Sequence, residues 1–253
     1  MALQFERVAR LAPVVGVLIG AALAGLDYGL SSLGVLPLAR SAVAVTVWVA
    51  ITGGLHLDGA IDAADGLAVP DPDRRLTVMT ESTVGAFGVI TVVILLLLKT
   101  AMLASLMSAS LMSSSFSETA PLGLMLPLAA GWGRWSQQVA IASFPYLKPM
   151  GKGAFHKAAL PSIWQTLPSL LLLLGLSALP LAFWAGLGNT SAGSLGQVAL
   201  QSLHLAAGAG VATGVAIWFG RQFGGHTGDT YGAVVEWTEA LVLVLWVLPV
   251  GRG

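Results

Sequence analysis

Long apolar runs alternate with short polar segments along the whole chain. Each run holds about 20 residues rich in Leu, Val and Ala, which is the length that an α-helix needs to cross a bilayer. Because a spanning segment must satisfy its own backbone hydrogen bonds, a bundle of helices is the expected fold. The runs predict transmembrane helices at residues 11–30, 33–52, 84–108, 121–144, 160–186, 198–219 and 233–250.

The composition supports a protein whose main solvent is lipid. Of the 253 residues, 56% are hydrophobic and 9% are charged, whereas soluble domains carry about 25% charged residues. The predicted fold class is therefore all-α, a polytopic membrane helical bundle with about seven transmembrane helices, formed by one integral-membrane domain over residues 1–253. The absence of cysteine excludes disulfides and thiolate metal sites, and the net charge of zero gives no reason to expect nucleic acid.

The basic residues between the runs are distributed unequally over the two membrane sides. With the N-terminus on the first side, the positive-inside rule places that side in the cytoplasm. The connections 53–83, 145–157 and 220–232 are then all predicted to be cytoplasmic. The first side holds Arg7, Arg10, Arg74, Arg75, Lys148, Lys152, Lys157 and Arg221, and the second holds Arg40 and Arg252.

An acidic segment follows the second apolar run. Asp58, Asp62 and Asp65 are spaced by four and three residues, which places them on one face of a helix. Carboxylates so close together repel one another unless a cation lies between them, and oxygen ligands suit Mg²⁺ or Mn²⁺. The segment is interpreted either as a metal site or as a solvated acidic face.

A second polar segment, Gly-Gly-His-Thr-Gly-Asp-Thr at 224–230, lies between the last two runs on the same predicted side. Its glycines, including Gly225, would allow backbone N–H groups to approach an anion closely. Thr227 belongs to the same segment, and Asp229 could add a metal ligand. The alternative is a glycine-rich turn whose polar groups face water.

Several ionisable residues fall within or beside the apolar runs and are therefore candidates for function. Lys99 either reaches the far interface with its long side chain or is held inside the bundle. Arg134 is expected to face the bundle interior and to pair with a carboxylate or a phosphate. Glu236 and Glu239 follow the second polar segment, and His56 is either a substrate contact or a buried, hydrogen-bonded histidine.

Three segments together resemble a known family. The stretch GGLHLDGAIDAADG at 53–66, then TESTVGAFGVI at 80–90, and GGHTGDTYGA at 224–233 are similar to the cobalamin synthases, the adenosylcobinamide-GDP ribazoletransferases. The resemblance extends over residues 9–245. It implies a Mg²⁺-dependent enzyme of cobalamin biosynthesis in the bacterial inner membrane, with its active site facing the cytoplasm. Such enzymes join α-ribazole or its 5′-phosphate to adenosylcobinamide-GDP and release GMP.

The resemblance also implies roles for particular residues. The acidic residues of the family fall on Asp58, Asp62 and Asp65, which would be catalytic and would bind the metal with Glu81. The family usually carries Asp-Ser-Arg where this chain has Glu81-Ser82-Thr83, so Arg74 or Arg75 would have to supply the missing phosphate contact. The implied substrate-binding residues are His56, Arg74, Arg75, Arg134, Gly225, Thr227 and Asp229.

Two other functions remain open from the residues alone. A membrane phosphotransferase of the CDP-alcohol type would use clustered Asp residues for related chemistry, which is an analogy only. A cation transporter would line a path with carboxylates, although transporters usually place such charges near the bilayer midplane. The predicted partners are the GDP-activated corrinoid, the ribazole substrate and membrane lipid, and homo-oligomerisation is left open.

Overall fold

The computed structural model describes residues 8–112, 122–148, 153–186 and 192–248, and within these ranges the regular structure is helical. An isolated bridge between Tyr146 and His226 is the exception. The α-helices are α1 (Val8–Ser32), α2 (Pro37–Ile51), α3 (Leu55–Ala68), α4 (Pro72–Val78), α5 (Ala86–Met112), α6 (Leu122–Ser143), α7 (Ala154–Ala159), α8 (Leu167–Ser177), α9 (Leu179–Gly186), α10 (Ala192–Ala206), α11 (Gly208–Phe223) and α12 (Gly228–Val247), and a short 3₁₀ helix covers Ile163–Thr166.

Helices α6 and α12 form the centre of the bundle. Most side chains of α6 are buried, and α12 packs against α3, α5, α6 and α11. Helix α1 runs antiparallel to α6, and a Cβ atom on Gly16 or Gly20 would collide with the carbonyl of Ala130 or Leu126. Small residues four apart therefore allow the two backbones to touch, as in other membrane helix pairs.

The membrane-bundle fold class is confirmed, but the predicted number of about seven spans is not. Within the described residues, four helical stretches are long and apolar enough to cross a bilayer: Ala9–Ser32, Ala86–Ala109, Leu195–Phe223, which joins most of α10 to α11, and Gly228–Val247. Helices α2 and α3 meet the same test only as a pair, and the pair is bent by 88°. By length and composition the described residues therefore supply four spans, or five if the bent pair is one span, and α3 lies at one end of the bundle.

Three segments differ from the sequence prediction. Residues 160–186 were predicted as one span, but the 3₁₀ helix, α8 and α9 divide them, with a break at Ala178. The 53–83 connection contains α3 and α4, and the 220–232 connection is mostly helical, since α11 ends at Phe223 and α12 begins at Gly228. Proline explains part of the first difference, because Pro168 lies in the first turn of α8, where it favours a new helix start.

Buried ion pairs stabilise the interior. The Lys99 ammonium lies 2.5 Å from Glu236 Oε2 and 2.6 Å from Glu239 Oε2, and it is 4.7 Å from the centre of the Trp48 ring. Lys99 is 1% exposed, so its side chain is held inside the bundle and does not reach the interface. Ionisable groups inside a membrane bundle usually pair with one another, and here one lysine forms ion pairs with two glutamates.

The three connections predicted to lie on one membrane side do meet at one end of the bundle. Arg75 donates to the Gln222 carbonyl at 2.7 Å, which joins α4 to the end of α11. The His226 N–H donates to Pro145 O at 2.9 Å, and the Leu147 N–H donates to His226 O at 2.8 Å. The described parts of the 53–83, 145–157 and 220–232 segments therefore surround a common surface.

Candidate active site

The acidic face lies on helix α3, as its spacing predicted. The helix begins after Gly53 and Gly54, whose φ angles of +63° and +69° are strained for residues with a side chain. Asp58 is exposed, while Asp62 and Asp65 are half-buried. The glycine pair thus ends α2 and redirects the chain so that the carboxylates lie at the end of the bundle.

A close contact between α3 and α12 brings Asp229 to this face. A Cβ atom on Gly59 would collide with the Asp229 carbonyl, and a Cβ on Gly232 would lie 3.0 Å from the His56 backbone. Each helix therefore offers a glycine where it touches the other. This approach places the first turn of α12, which carries Asp229, beside Asp58 and Asp62.

Asp62 has both acidic and basic side chains near it. Burial, together with the like charges of Asp229 and Asp58, raises the pKa of Asp62 to about 6, and Lys148 opposes this shift. The Lys148 ammonium lies 2.9 Å from Asp229 Oδ2. Sequence reasoning placed Lys148 in a basic loop without assigning it to the site, and the only available signal was its predicted membrane side.

Asp65 has a different environment from its two neighbours on α3. Its Oδ2 accepts from the Gly85 N–H at 2.7 Å, and its Oδ1 accepts from the Gly88 N–H at 2.8 Å. These donors are at the start of α5, where the first N–H groups lack partners within the helix. Asp65 therefore fastens α3 to the N-terminus of α5.

The glycine-rich segment is organised as the start of α12. The side chain of Thr227 accepts from the Thr230 N–H, and the Thr230 hydroxyl accepts from the Thr227 N–H at 2.8 Å, which is a reciprocal N-terminal cap. Gly225 packs against Pro145 O and the Leu147 side chain. The N–H groups of residues 226, 227 and 230 thus bind protein oxygens, so these three do not form the predicted open anion nest.

His226 packs at the centre of this segment. Its ring lies 5.3 Å from the ring of Phe144 and 5.4 Å from that of Tyr231, and its Nδ1 is 3.0 Å from Thr230 Oγ1. Burial lowers the pKa of His226 to about 4. The imidazole is therefore neutral at neutral pH and contributes packing and hydrogen bonding.

This shift predicts an acid-dependent loss of stability. The unfolded imidazole titrates near pH 6.5, so between pH 6.5 and 4 the unfolded chain binds more protons than the folded one. We expect His226 to make folding less favourable by roughly 3 kcal/mol as the pH falls through this window. The apparent melting temperature in detergent, measured from pH 7.5 to 4, should fall more for the parent protein than for His226→Gln. Parallel curves for the two proteins would contradict the prediction.

Arg134 and His56 lie near each other and near the Lys99 cluster. The Arg134 stem packs against Gly16, and its charge is attracted mainly by Glu239 and then by Glu236. No ion pair joins Arg134 to a carboxylate among the described residues, so its predicted pairing with a carboxylate or a phosphate stays a prediction. His56 Nδ1 is buried and has no hydrogen-bond partner among the described residues.

The remaining predicted site residues lie at the same end but without carboxylate contacts in the described structure. Arg75 donates to Val69 O and Gln222 O, Arg74 is exposed, and Glu81 lies on an exposed turn. The roles predicted for Arg74, Arg75 and Glu81 stay predictions.

Comparison with known proteins identifies the family. The family described as cobalamin-5-phosphate synthase matches residues 1–247. The chain belongs to this family. An adenosylcobinamide-GDP ribazoletransferase of Trichormus variabilis is 50% identical over 247 residues, which cover 97% of this chain and 89% of that protein. A protein of the same name from Synechocystis sp. is 44% identical over 246 residues, which cover 95% and 85% of the two chains. No solved structure matches the chain at a significant level.

The resemblance stated from three segments is thus confirmed as family membership over nearly the whole chain. The Mg²⁺ that it implies can be tested against the donor atoms. Among the described residues no three His, Asp or Glu side chains converge as a protein-only metal site requires. Mg²⁺, however, is usually held by one or two carboxylates together with substrate phosphates, so Asp58 and Asp229 are a fitting donor set beside a diphosphate.

Proposed function

We propose that this protein is an adenosylcobinamide-GDP ribazoletransferase, which joins α-ribazole or its 5′-phosphate to adenosylcobinamide-GDP and releases GMP. Family membership and the names of relatives at 44–50% identity support the reaction. The observation that carries the location of the site is the acidic face of α3 against the first turn of α12, where Asp58, Asp62 and Asp229 meet Lys148.

The reaction is a phosphoryl-group transfer. A ribose hydroxyl of ribazole forms a bond to the phosphorus that carries the cobinamide, and the bond from this phosphorus to the bridging oxygen breaks. GMP leaves with that electron pair, and the hydroxyl proton must pass to a base. We assign this proton to Asp62, because its carboxylate lies on the acidic face of α3 where this helix touches the first turn of α12, beside Asp58 and Asp229.

Charge neutralisation is the other requirement of this chemistry. A bound Mg²⁺, held by Asp58 and Asp229, would neutralise the diphosphate and the leaving phosphate. Lys148 supplies a positive charge at the same place, and its half-exposed ammonium can contact a phosphate as well as Asp229. The family resemblance assigns Arg134 to a substrate phosphate as well, and its charge interacts with Glu239 and Glu236 on α12.

The proposed function is tested with purified protein in detergent or lipid. Given adenosylcobinamide-GDP, α-ribazole 5′-phosphate and Mg²⁺, the protein should release GMP and form the joined corrinoid in equal amounts. Release should stop when EDTA removes the metal. Product formation from a CDP-alcohol and diacylglycerol, without any from the corrinoid, would instead assign a lipid headgroup transferase.

The location of the site in the bacterial inner membrane, facing the cytoplasm, is part of this proposal. The chain has no cysteine, so single cysteines can report on sidedness without background. Thr83 lies at the end of the bundle that carries the site, whereas Leu33, between α1 and α2, lies at the opposite end, and both are exposed.

We expect a membrane-impermeant maleimide added to intact cells to label Leu33→Cys and not Thr83→Cys. The basic residues around the site keep this end in the cytoplasm. Permeabilised cells, in which both variants should be labelled, provide the control. If only Thr83→Cys is labelled in intact cells, the orientation is the opposite of the one proposed.

A further inference from the structure

An apolar cavity of about 380 Å³ lies behind the helix that carries the acidic face. On α3, Ala60, Ala64 and Leu67 line it. A helix turns by about 100° per residue, so these three residues lie opposite Asp58, Asp62 and Asp65. The cavity and the proposed active site thus share α3 as a common wall.

The other walls come from three spanning helices. Thr91 belongs to α5, Trp218 and Gly214 to α11, and Trp237 and Leu241 to α12. Trp218 is 49% exposed and Leu241 is 36% exposed, so the cavity opens toward the outside of the bundle, where the spans face lipid. Walls of this kind fit a hydrocarbon chain, and Thr91 is the polar residue among them.

Positive charge lies at one end of the cavity. Arg75 donates to Val69 O and to Gln222 O. Its guanidinium therefore lies at the C-terminal end of α3, two residues beyond Leu67, and one turn beyond Trp218 on α11. Arg221 is adjacent to Gln222 in the chain and is exposed. Two arginines beside an apolar cavity complement a molecule with an anionic head and a hydrocarbon tail.

We infer that this cavity binds one anionic phospholipid, with an acyl chain between α3, α5, α11 and α12 and its phosphate at Arg75 and Arg221. The bound chain supports the back of α3 and so holds the acidic face against α12. This inference concerns a site outside the proposed active site and does not depend on the reaction assigned there. It gives Arg75 a lipid phosphate as its partner, in place of the substrate phosphate implied by the family resemblance.

Two glycines of α11 provide a matched pair of variants. Gly214 lines the cavity, whereas Gly210, one turn earlier, does not. A Cβ atom on either glycine would meet nothing within 4 Å, so both positions have open space where the new side chain begins. Gly214→Leu fills the cavity entrance, and Gly210→Leu adds the same side chain to the same helix elsewhere.

The test uses delipidated protein in detergent and phospholipids with brominated acyl chains, which quench tryptophan on contact. Brominated phosphatidylglycerol should quench the parent protein at a lower concentration than brominated phosphatidylcholine. Gly214→Leu should raise the half-quenching concentration of phosphatidylglycerol by about tenfold, equivalent to about 1.4 kcal/mol. Gly210→Leu should titrate like the parent. Arg75→Gln and Arg221→Gln should remove the preference for phosphatidylglycerol while quenching by phosphatidylcholine persists.

A second readout is the melting temperature, since a ligand that binds the folded state stabilises it. Added phosphatidylglycerol should raise the melting temperature of the parent and of Gly210→Leu, but not that of Gly214→Leu. If Gly214→Leu matches the parent in both measurements, the lipid contacts only the outer surface and the inference is wrong. If phosphatidylglycerol and phosphatidylcholine quench at the same concentrations, the site does not select an anionic headgroup and that part of the inference is wrong. Both readouts measure lipid binding and not catalysis. A negative result would therefore disprove the lipid site without bearing on the proposed reaction, which is tested separately by GMP release.

Discussion

Replacement of Asp62 by Asn is expected to reduce GMP release on the order of a thousandfold, with little change in the melting temperature. A loss of this size corresponds to about 4 kcal/mol of transition-state stabilisation. The amide cannot accept the proton of the attacking hydroxyl, and it removes a negative charge beside Asp58 and Asp229. Because Asp62 has like charges as its main neighbours, its neutralisation should not weaken folding.

The measurement is single-turnover GMP release at saturating substrates and Mg²⁺, together with a melting curve. Asp73→Asn is the matched control, because Asp73 is an exposed carboxylate on α4 at the same end of the bundle. It should retain the parent rate. If Asp62→Asn turns over at the parent rate, Asp62 is not the base, and the acidic face of α3 is better explained as a solvated surface.

Replacement of Lys99 by Met is expected to have the largest effect on stability. The substitution leaves Glu236 and Glu239 buried without the ammonium that contacts both of them. Removing one partner of a buried ion pair typically costs about 3–5 kcal/mol, because the remaining charge is neither solvated nor paired. The apparent melting temperature in detergent should therefore fall strongly, and the yield of folded protein should fall with it.

A variant without any of the three charges separates charge from packing. Lys99→Met combined with Glu236→Gln and Glu239→Gln should recover much of the lost stability, because no carboxylate then stays buried without the lysine that paired with it. If the single and triple variants are equally unstable, the loss comes from other contacts of the lysine side chain, such as that of its ammonium with the Trp48 ring. A single variant as stable as the parent would show that the cluster does not support the fold.

Much of the local structure could be predicted from the chain. Bilayer-length apolar runs predicted a bundle of membrane helices, and the spacing of Asp58, Asp62 and Asp65 predicted a helix with an acidic face. Both signals are periodicities within one segment, which need no knowledge of the neighbours. The predicted number of spans was not confirmed, and one reason is that Pro168 and a break at Ala178 interrupt the continuously apolar segment 160–186.

The partners of each charged group could not be predicted in the same way. Asp65 has the same spacing signal as Asp62, yet its oxygens bind N–H groups at the start of α5. Lys99 could have reached the interface, and its two glutamates lie far away in the chain. Lys148 joined the site only through the contact between its loop and the first turn of α12.

The sequence alone determined that this chain is a membrane helical bundle, that it has an acidic helical face, and which family it resembles. These follow from composition, from local periodicity and from segments that remain recognisable when read alone. The tertiary structure alone decided that Asp229 and Lys148 stand beside Asp62, that Asp65 fastens α5, and that an apolar cavity lies behind α3. The physical reason is that facing residues are selected by close helix packing, here at Gly59 and Gly232, and such contacts join positions that have no fixed spacing in the chain.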